Sequence, residues 1–124
     1  MSYVLVFLGG GLGAGLRHFV NVLFAKMFGT AFPFHTLFEN VTGSLVMGAL
    51  AGYFAFAGEA SQELRLFLTT GILGGYTTFS AFSLDAVLLW ERGQSAMALL
   101  YVLASVAGSL IGLVGGLALV RHLS

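Results

Sequence analysis

The polar side chains lying within apolar segments are Arg17, Glu39, Asn40, Thr42, Ser44, Thr77, Thr78, Ser80, Ser83, Asp85, Ser105 and Ser109. Polar groups at membrane depth are costly, so these are the candidates for chemistry. Taken singly, each Ser or Thr can bond its own i−4 carbonyl, a purely structural role. Taken as a set they are mostly neutral donors. Ser80 and Ser83 share a helix face at i+3, Ser105 and Ser109 at i+4, and Asn40 adds an amide with two N–H groups. Such a track suits a dehydrating anion, whereas a cation path more naturally shows rings of acids. Phe79 and Phe82, again at i+3, follow two threonines. Ordinary packing accounts for most phenylalanines, but a ring has a positive edge, and edges turned to one point stabilise a small anion. Fluoride, compact and a strong acceptor, fits that surround best.

Positioning these groups requires membrane helices. The 124 residues are 58% hydrophobic and 8% charged with zero net charge, which places the chain outside ordinary soluble domains and excludes nucleic acid as an expected partner. There is no cysteine, so disulfides and thiolate metal sites are absent. Met1-Ser2-Tyr3-Val4 lacks the basic start of a signal peptide, so the first apolar segment is expected to be a retained span. Four spans are predicted, at about 3–24, 34–56, 64–90 and 96–120, joined by short connections into one domain over 1–124. A soluble helical bundle would show polar outer faces at helical period, and none recurs.

The third span is the odd one. A continuous helix over 64–90 would exceed the roughly 30 Å hydrocarbon core, and Gly71, Gly74 and Gly75 followed by Thr77 and Thr78 make a poor helix centre. A broken helix is expected there, with its freed backbone groups buried in protein or lining a path.

Small residues at i+4 predict close helix contacts: Gly9 with Gly13, Gly11 with Gly15, Gly48 with Gly52, and the row Ala104, Gly108, Gly112, Gly116. Packing this tight leaves little room for a conduit inside one copy, so a path between copies and a homodimer are expected. Arg65 and Arg121 fall on one side of the membrane, Lys26 and Arg92 on the other. That balance removes the usual orientation bias and permits inverted copies to pair. No HExxH, nucleophile elbow or P-loop is present, and the Gly9–Gly15 run lacks the strand-turn-helix context of a dinucleotide loop, so nothing supports an enzyme.

Three stretches carry a resemblance. Gly74-Gly75-Tyr76-Thr77-Thr78-Phe79-Ser80-Ala81-Phe82-Ser83 is similar to the GG-x-[ST]TFSTF signature of the Fluc (CrcB-type) family of fluoride channels. Gly10-Gly11-Leu12-Gly13-Ala14-Gly15-Leu16-Arg17 resembles its GG-x-x-G-x-x-x-R, and Thr36-Leu37-Phe38-Glu39-Asn40-Val41-Thr42-Gly43 its TL-x-x-N-x-x-G. The resemblance implies an all-α, antiparallel, dual-topology homodimer in the cell membrane with two pores, releasing fluoride passively. It implies Phe79 and Phe82 as ring residues, Asn40 as a polar contact, and Ser80, Ser83 and Ser109 as hydroxyl donors. It further implies Arg17 in an aqueous vestibule and a structural sodium ion held by the Gly74 and Thr77 carbonyls of both copies.

The chain departs from the pattern at His35, Glu39, Tyr76, Ala81 and Asp85, where the family commonly has Gly, an apolar residue, an aliphatic, Thr and Glu. Glu39 would repel an anion unless protonated, paired with Arg17 or turned away, and consecutive helix positions differ by about 100° in direction. Two other readings stand beside the channel. A small proton-coupled multidrug exporter wants an acid in the first span, where this chain has Arg17, although Glu39 keeps that reading open. An accessory subunit would use the same polar groups only to bind helices together.

Overall fold

The computed structural model describes residues 1–57 and 60–123, with the side chains of 56 and 57 excepted, and all of its regular structure is helical. Helix α1 spans Ser2–Phe28 and ends at Gly29, whose φ of 75° suits a residue without a Cβ and whose N–H donates to the Ala25 carbonyl. Helix α2 spans Phe34–Ala57. The third rod is composite: α3 (Gln62–Leu66), a π-helical stretch Phe67–Leu73 and α4 (Gly74–Tyr76), followed after two residues by α5 (Phe79–Glu91). Ser61 caps α3 by accepting from the Leu64 N–H. Gly93 (φ 80°) turns the chain into α6, Ser95–Leu123.

Three of these rods are long and apolar enough to cross a membrane among the described residues: Ser2–Phe28, Gln62–Glu91 taken together, and Ser95–Leu123. Helix α2, at 24 residues, has the length too, and its polar residues His35, Thr36, Glu39 and Asn40 gather in its first two turns. Much of the apolar surface faces outward, including Phe7, Leu12, Phe19, Leu99, Leu103, Leu110 and Ile111, as lipid contact requires.

Glycines set the packing. Helix α1 lies on the first half of the composite rod, where a Cβ at Gly13 would collide with the Ile72 carbonyl and one at Gly9 would come within 2.8 Å of the Phe67 carbonyl. Gly75 meets Gly10 in the same way. On the other side α2 packs along α6: Gly48 sits against the Leu113 backbone, and Gly112 and Gly116 against the backbones of Val41 and Leu45. The two i+4 rows thus zip two helix pairs, as their spacing predicts. Gly11 and Gly15, by contrast, have open space where a Cβ would stand. Gly13→Ala is therefore expected to destabilise the protein by about 2 kcal/mol or more through backbone overlap. Gly115→Ala, where a Cβ meets nothing within 4 Å, should change stability by less than about 0.5 kcal/mol. Thermal denaturation in detergent distinguishes the two.

The break in the third rod is real, but the glycines do not form it. Gly71, Gly74 and Gly75 lie in helical turns, wide ones up to Leu73, and Gly71 and Gly75 serve the close approach of α1. The chain leaves helical geometry at Thr77 (ψ 156°) and Thr78 (φ −153°, ψ 121°). Two adjacent β-branched residues tolerate extended backbone well, and Thr78 restarts the helix by capping it, its Oγ1 accepting from the Ala81 N–H at 3.2 Å.

Candidate functional site

The Thr77 N–H still donates to the Leu73 carbonyl at 3.0 Å, but the backbone of the extended Thr78 lacks a helical partner, and Asn40 supplies one. Its Oδ1 accepts from the Thr78 N–H at 2.8 Å and its Nδ2 donates to the Thr78 carbonyl at 3.0 Å. One amide thus satisfies both sides of one residue, which makes Asn40 the clamp that permits the interruption. The remaining amide hydrogen of Asn40 is available to a ligand. Gly43, one turn further along α2, makes room for this arrangement, since a Cβ there would overlap the Thr77 methyl.

The restart of the rod presents the two phenylalanines. Their ring centroids are 5.4 Å apart with planes at 52°. Phe82 is 9% exposed and also packs on Tyr101 at 5.3 Å, within the cluster of Phe82, Leu89, Ala98 and Tyr101. Phe79 is 77% exposed despite its contact with Phe82. Beside them runs an open-sided groove of about 370 Å³, lined by residues that include Asn40, Thr77, Thr78, Phe79, Phe82, Ser105 and Ser109. Ser105 is buried and its Oγ has no hydrogen-bond partner, so a hydroxyl on the groove wall is left unspent.

Other candidates sit differently. Ser83 Oγ donates to the Phe79 carbonyl at 3.0 Å, its own helix's i−4 group, and Ser80 Oγ lies 3.4 Å from Thr78 Oγ1. Neither lines the groove. Arg17 Nε donates to the Gly75 carbonyl at 3.0 Å, placing a cation at the C-terminal end of the first half-helix, where the helix dipole favours it. Gly74 is exposed and Thr77 half-buried at the same end.

Glu39 is turned away from the groove, as its position next to Asn40 allows. It is 1% exposed and belongs to a second polar cluster on the opposite flank of α2. There Asp85 Oδ2 accepts from Thr36 Oγ1 at 2.8 Å and from the Tyr101 hydroxyl at 3.1 Å. Asn21, its amide nitrogen turned toward α2, has three acceptors within reach of its two hydrogens: His35 Nδ1 (2.9 Å), Glu39 Oε2 and the Arg17 carbonyl (3.2 Å). Asn21, Thr36 and Tyr101 escape the sequence reading, although Asn21 stands one turn from Arg17 on the same face of an apolar span, which is a signal.

Comparison with known proteins gives matches over nearly the whole length of the chain. The family model described as CrcB-like protein, Camphor Resistance (CrcB), matches residues 4–117. A protein of Rhodopseudomonas palustris (strain BisB5) named fluoride-specific ion channel FluC is 67% identical over 124 residues, covering all of both chains. Fluoride-specific ion channel FluC 2 of Nitrobacter hamburgensis is 61% identical over the same span. A FluC of Methylobacterium sp. (strain 4-46) is 54% identical over 122 residues, 98% of each chain. Matched from one end to the other by family and relatives alike, this chain belongs to the CrcB-like protein family.

Proposed function

We propose that the protein is a fluoride-selective channel that lets fluoride leave the cell passively across a bacterial inner membrane, and that it is not an enzyme. The observation that carries this is the Asn40 clamp on Thr78. It holds an interrupted membrane helix open at the point where Phe79 and Phe82 begin, beside a groove with hydroxyl donors. The names of the full-length relatives point the same way.

In this reading four spans form each subunit, and two subunits pair antiparallel in dual topology. The groove is open-sided and Phe79 is exposed, so a second copy is what completes the walls. Phe79 and Phe82 supply ring edges to the dehydrated anion. The free N–H of Asn40 and the Ser105 and Ser109 hydroxyls replace water as donors. Ser80 and Ser83 serve the partner's side of the path. Arg17 draws anions toward the vestibule.

A sodium ion at the dimer centre fits the backbone. The Thr78 N–H, which a continued helix would direct to the Gly74 carbonyl, goes to Asn40, and the Ala81 N–H goes to Thr78 Oγ1 and not to the Thr77 carbonyl. Gly74 and Thr77 therefore offer oxygens suited to a hard cation. Such an ion adds positive charge near the path.

Purified protein in liposomes loaded with fluoride tests the reading with a fluoride electrode. Rapid fluoride release with negligible chloride release is expected, and release that follows a proton gradient or a cationic drug would point to the exporter instead. No release from a verified reconstitution refutes the channel.

A further inference from the structure

The helices pack as two pairs, and the rotation of α2 against the other pair decides where Asn40 points. Gly48 and Gly52 of α2 lie on α6, while α1 is zipped to the first half of the third rod. Between α1 and α2 stand two ring contacts, Phe24 with Phe38 at 5.0 Å and Phe28 with Phe34 at 5.6 Å between centroids. Such contacts accept a range of angles, and in lipid they have little hydrophobic drive behind them. Hydrogen bonds are directional and define the rotation. Toward the third rod α2 makes several: Thr42 Oγ1 with the Tyr76 hydroxyl at 2.9 Å, Thr36 with Asp85, and Asn40 with Thr78. Toward α1 the polar contact is the Asn21 amide, whose nearest acceptor is Glu39 Oε2.

We infer that Asn21 is a positioning residue, whose amide bridge from α1 to Glu39 sets the rotation of α2 and so the aim of Asn40 at Thr78. Glu39 is 1% exposed and its Oε1 has no hydrogen-bond partner, so the bridge at Oε2 is what its carboxyl has among the described residues. Without the amide, a carboxyl would stay buried with nothing to bond, a costly state at membrane depth. Turning α2 until Glu39 finds water or another donor relieves it. Asn40 is the next residue, so the same turn carries it off the Thr78 backbone. Glu39 faces away from the groove and acts on the path only through the helix it shares with Asn40. The bridge needs an acceptor at Glu39 Oε2 and nothing more, and a glutamine carbonyl supplies one equally. The consequence for flux rests on the channel reading above, whereas the bridge and the aim are independent of it.

Two measurements on the full-length protein test this: fluoride efflux from liposomes, and hydrogen exchange in the peptide that carries the Thr78 amide. Asn21→Leu should lower efflux about tenfold, the scale of one buried hydrogen bond, and speed Thr78 exchange by a similar factor. Asn21→Asp should do the same, because it removes the amide hydrogens and sets a second carboxyl against Glu39. Glu39→Gln keeps the acceptor and should stay within about threefold of wild type in both readouts. Combining Asn21→Asp with Glu39→Gln reverses the bridge, the glutamine now donating to the aspartate. That pair should return efflux and Thr78 exchange to within about threefold of wild type. Exchange separates aim from overall stability, since general loosening would speed exchange throughout the helices. Where the single variants do not assemble, the reversed pair should assemble and conduct. Wild-type efflux and exchange in an assembled Asn21→Leu variant, or a reversed pair no better than Asn21→Asp alone, overturn the inference. Wild-type protein without fluoride flux would sink the channel reading instead, and exchange at Thr78 would then decide the bridge by itself.

Discussion

Phe82→Ile is expected to lower fluoride efflux by about ten- to a hundredfold, with the dimer retained. Isoleucine keeps bulk beside Tyr101 but offers no ring edge. Losing about 1–3 kcal/mol of aromatic stabilisation for a dehydrated ion corresponds to that loss of rate. The substitution also removes the contact with Tyr101 at 5.3 Å inside the buried cluster, so a fall in stability of about 1–2 kcal/mol should accompany it. Chromatography in detergent checks assembly and the liposome assay checks throughput. Phe79→Ile separates the two effects, because Phe79 is exposed in the single chain and its loss should cost flux without weakening the fold. Wild-type flux in a well-assembled Phe82→Ile variant would remove the ring from the mechanism.

Asn40→Leu should do more damage to the structure than to any one contact. It strips the Thr78 N–H and carbonyl of their partners together, in a place water reaches poorly. Leaving two backbone groups unsatisfied costs about 2–5 kcal/mol, a large share of the stability of a small protein. Sharply reduced yield of folded protein is expected. Asn40→Asp keeps an acceptor for the N–H but loses the donor and adds negative charge. It should fold better than the leucine variant yet conduct little, because the charge faces the groove. A leucine variant that folds and conducts normally would show that the clamp is dispensable.

Much of this was legible in the residues. Lengths and apolar runs locate the helices, and the i+4 glycines mark the faces that pack. The interruption of the third rod is also visible, because Gly-rich turns followed by two threonines disfavour a continuous helix. Its position was not. Propensity places weakness at Gly71–Gly75, yet those glycines are spent on the approach of α1, and the chain leaves the helix only where Asn40 can receive it. That partner is 38 residues away along the chain, a distance no local pattern encodes. The same reason hides the Asn21 bridge and the bonds from Thr36 and Tyr101 to Asp85, which join three or more helices. Glu39 was resolved only by direction, since whether it faces the groove or the opposite flank depends on how α2 is rotated against α6.

The pairing of α2 with α6 has a consequence for biogenesis. Helix α2 is matched to a rod far along the chain, so the glycine row Gly108, Gly112 and Gly116 does not yet exist when α2 leaves the ribosome. The face of α2 that carries Val41, Leu45 and Gly48 therefore stays unpacked until α6 follows, and a chain cut short before α6 is expected to be degraded faster than the full one.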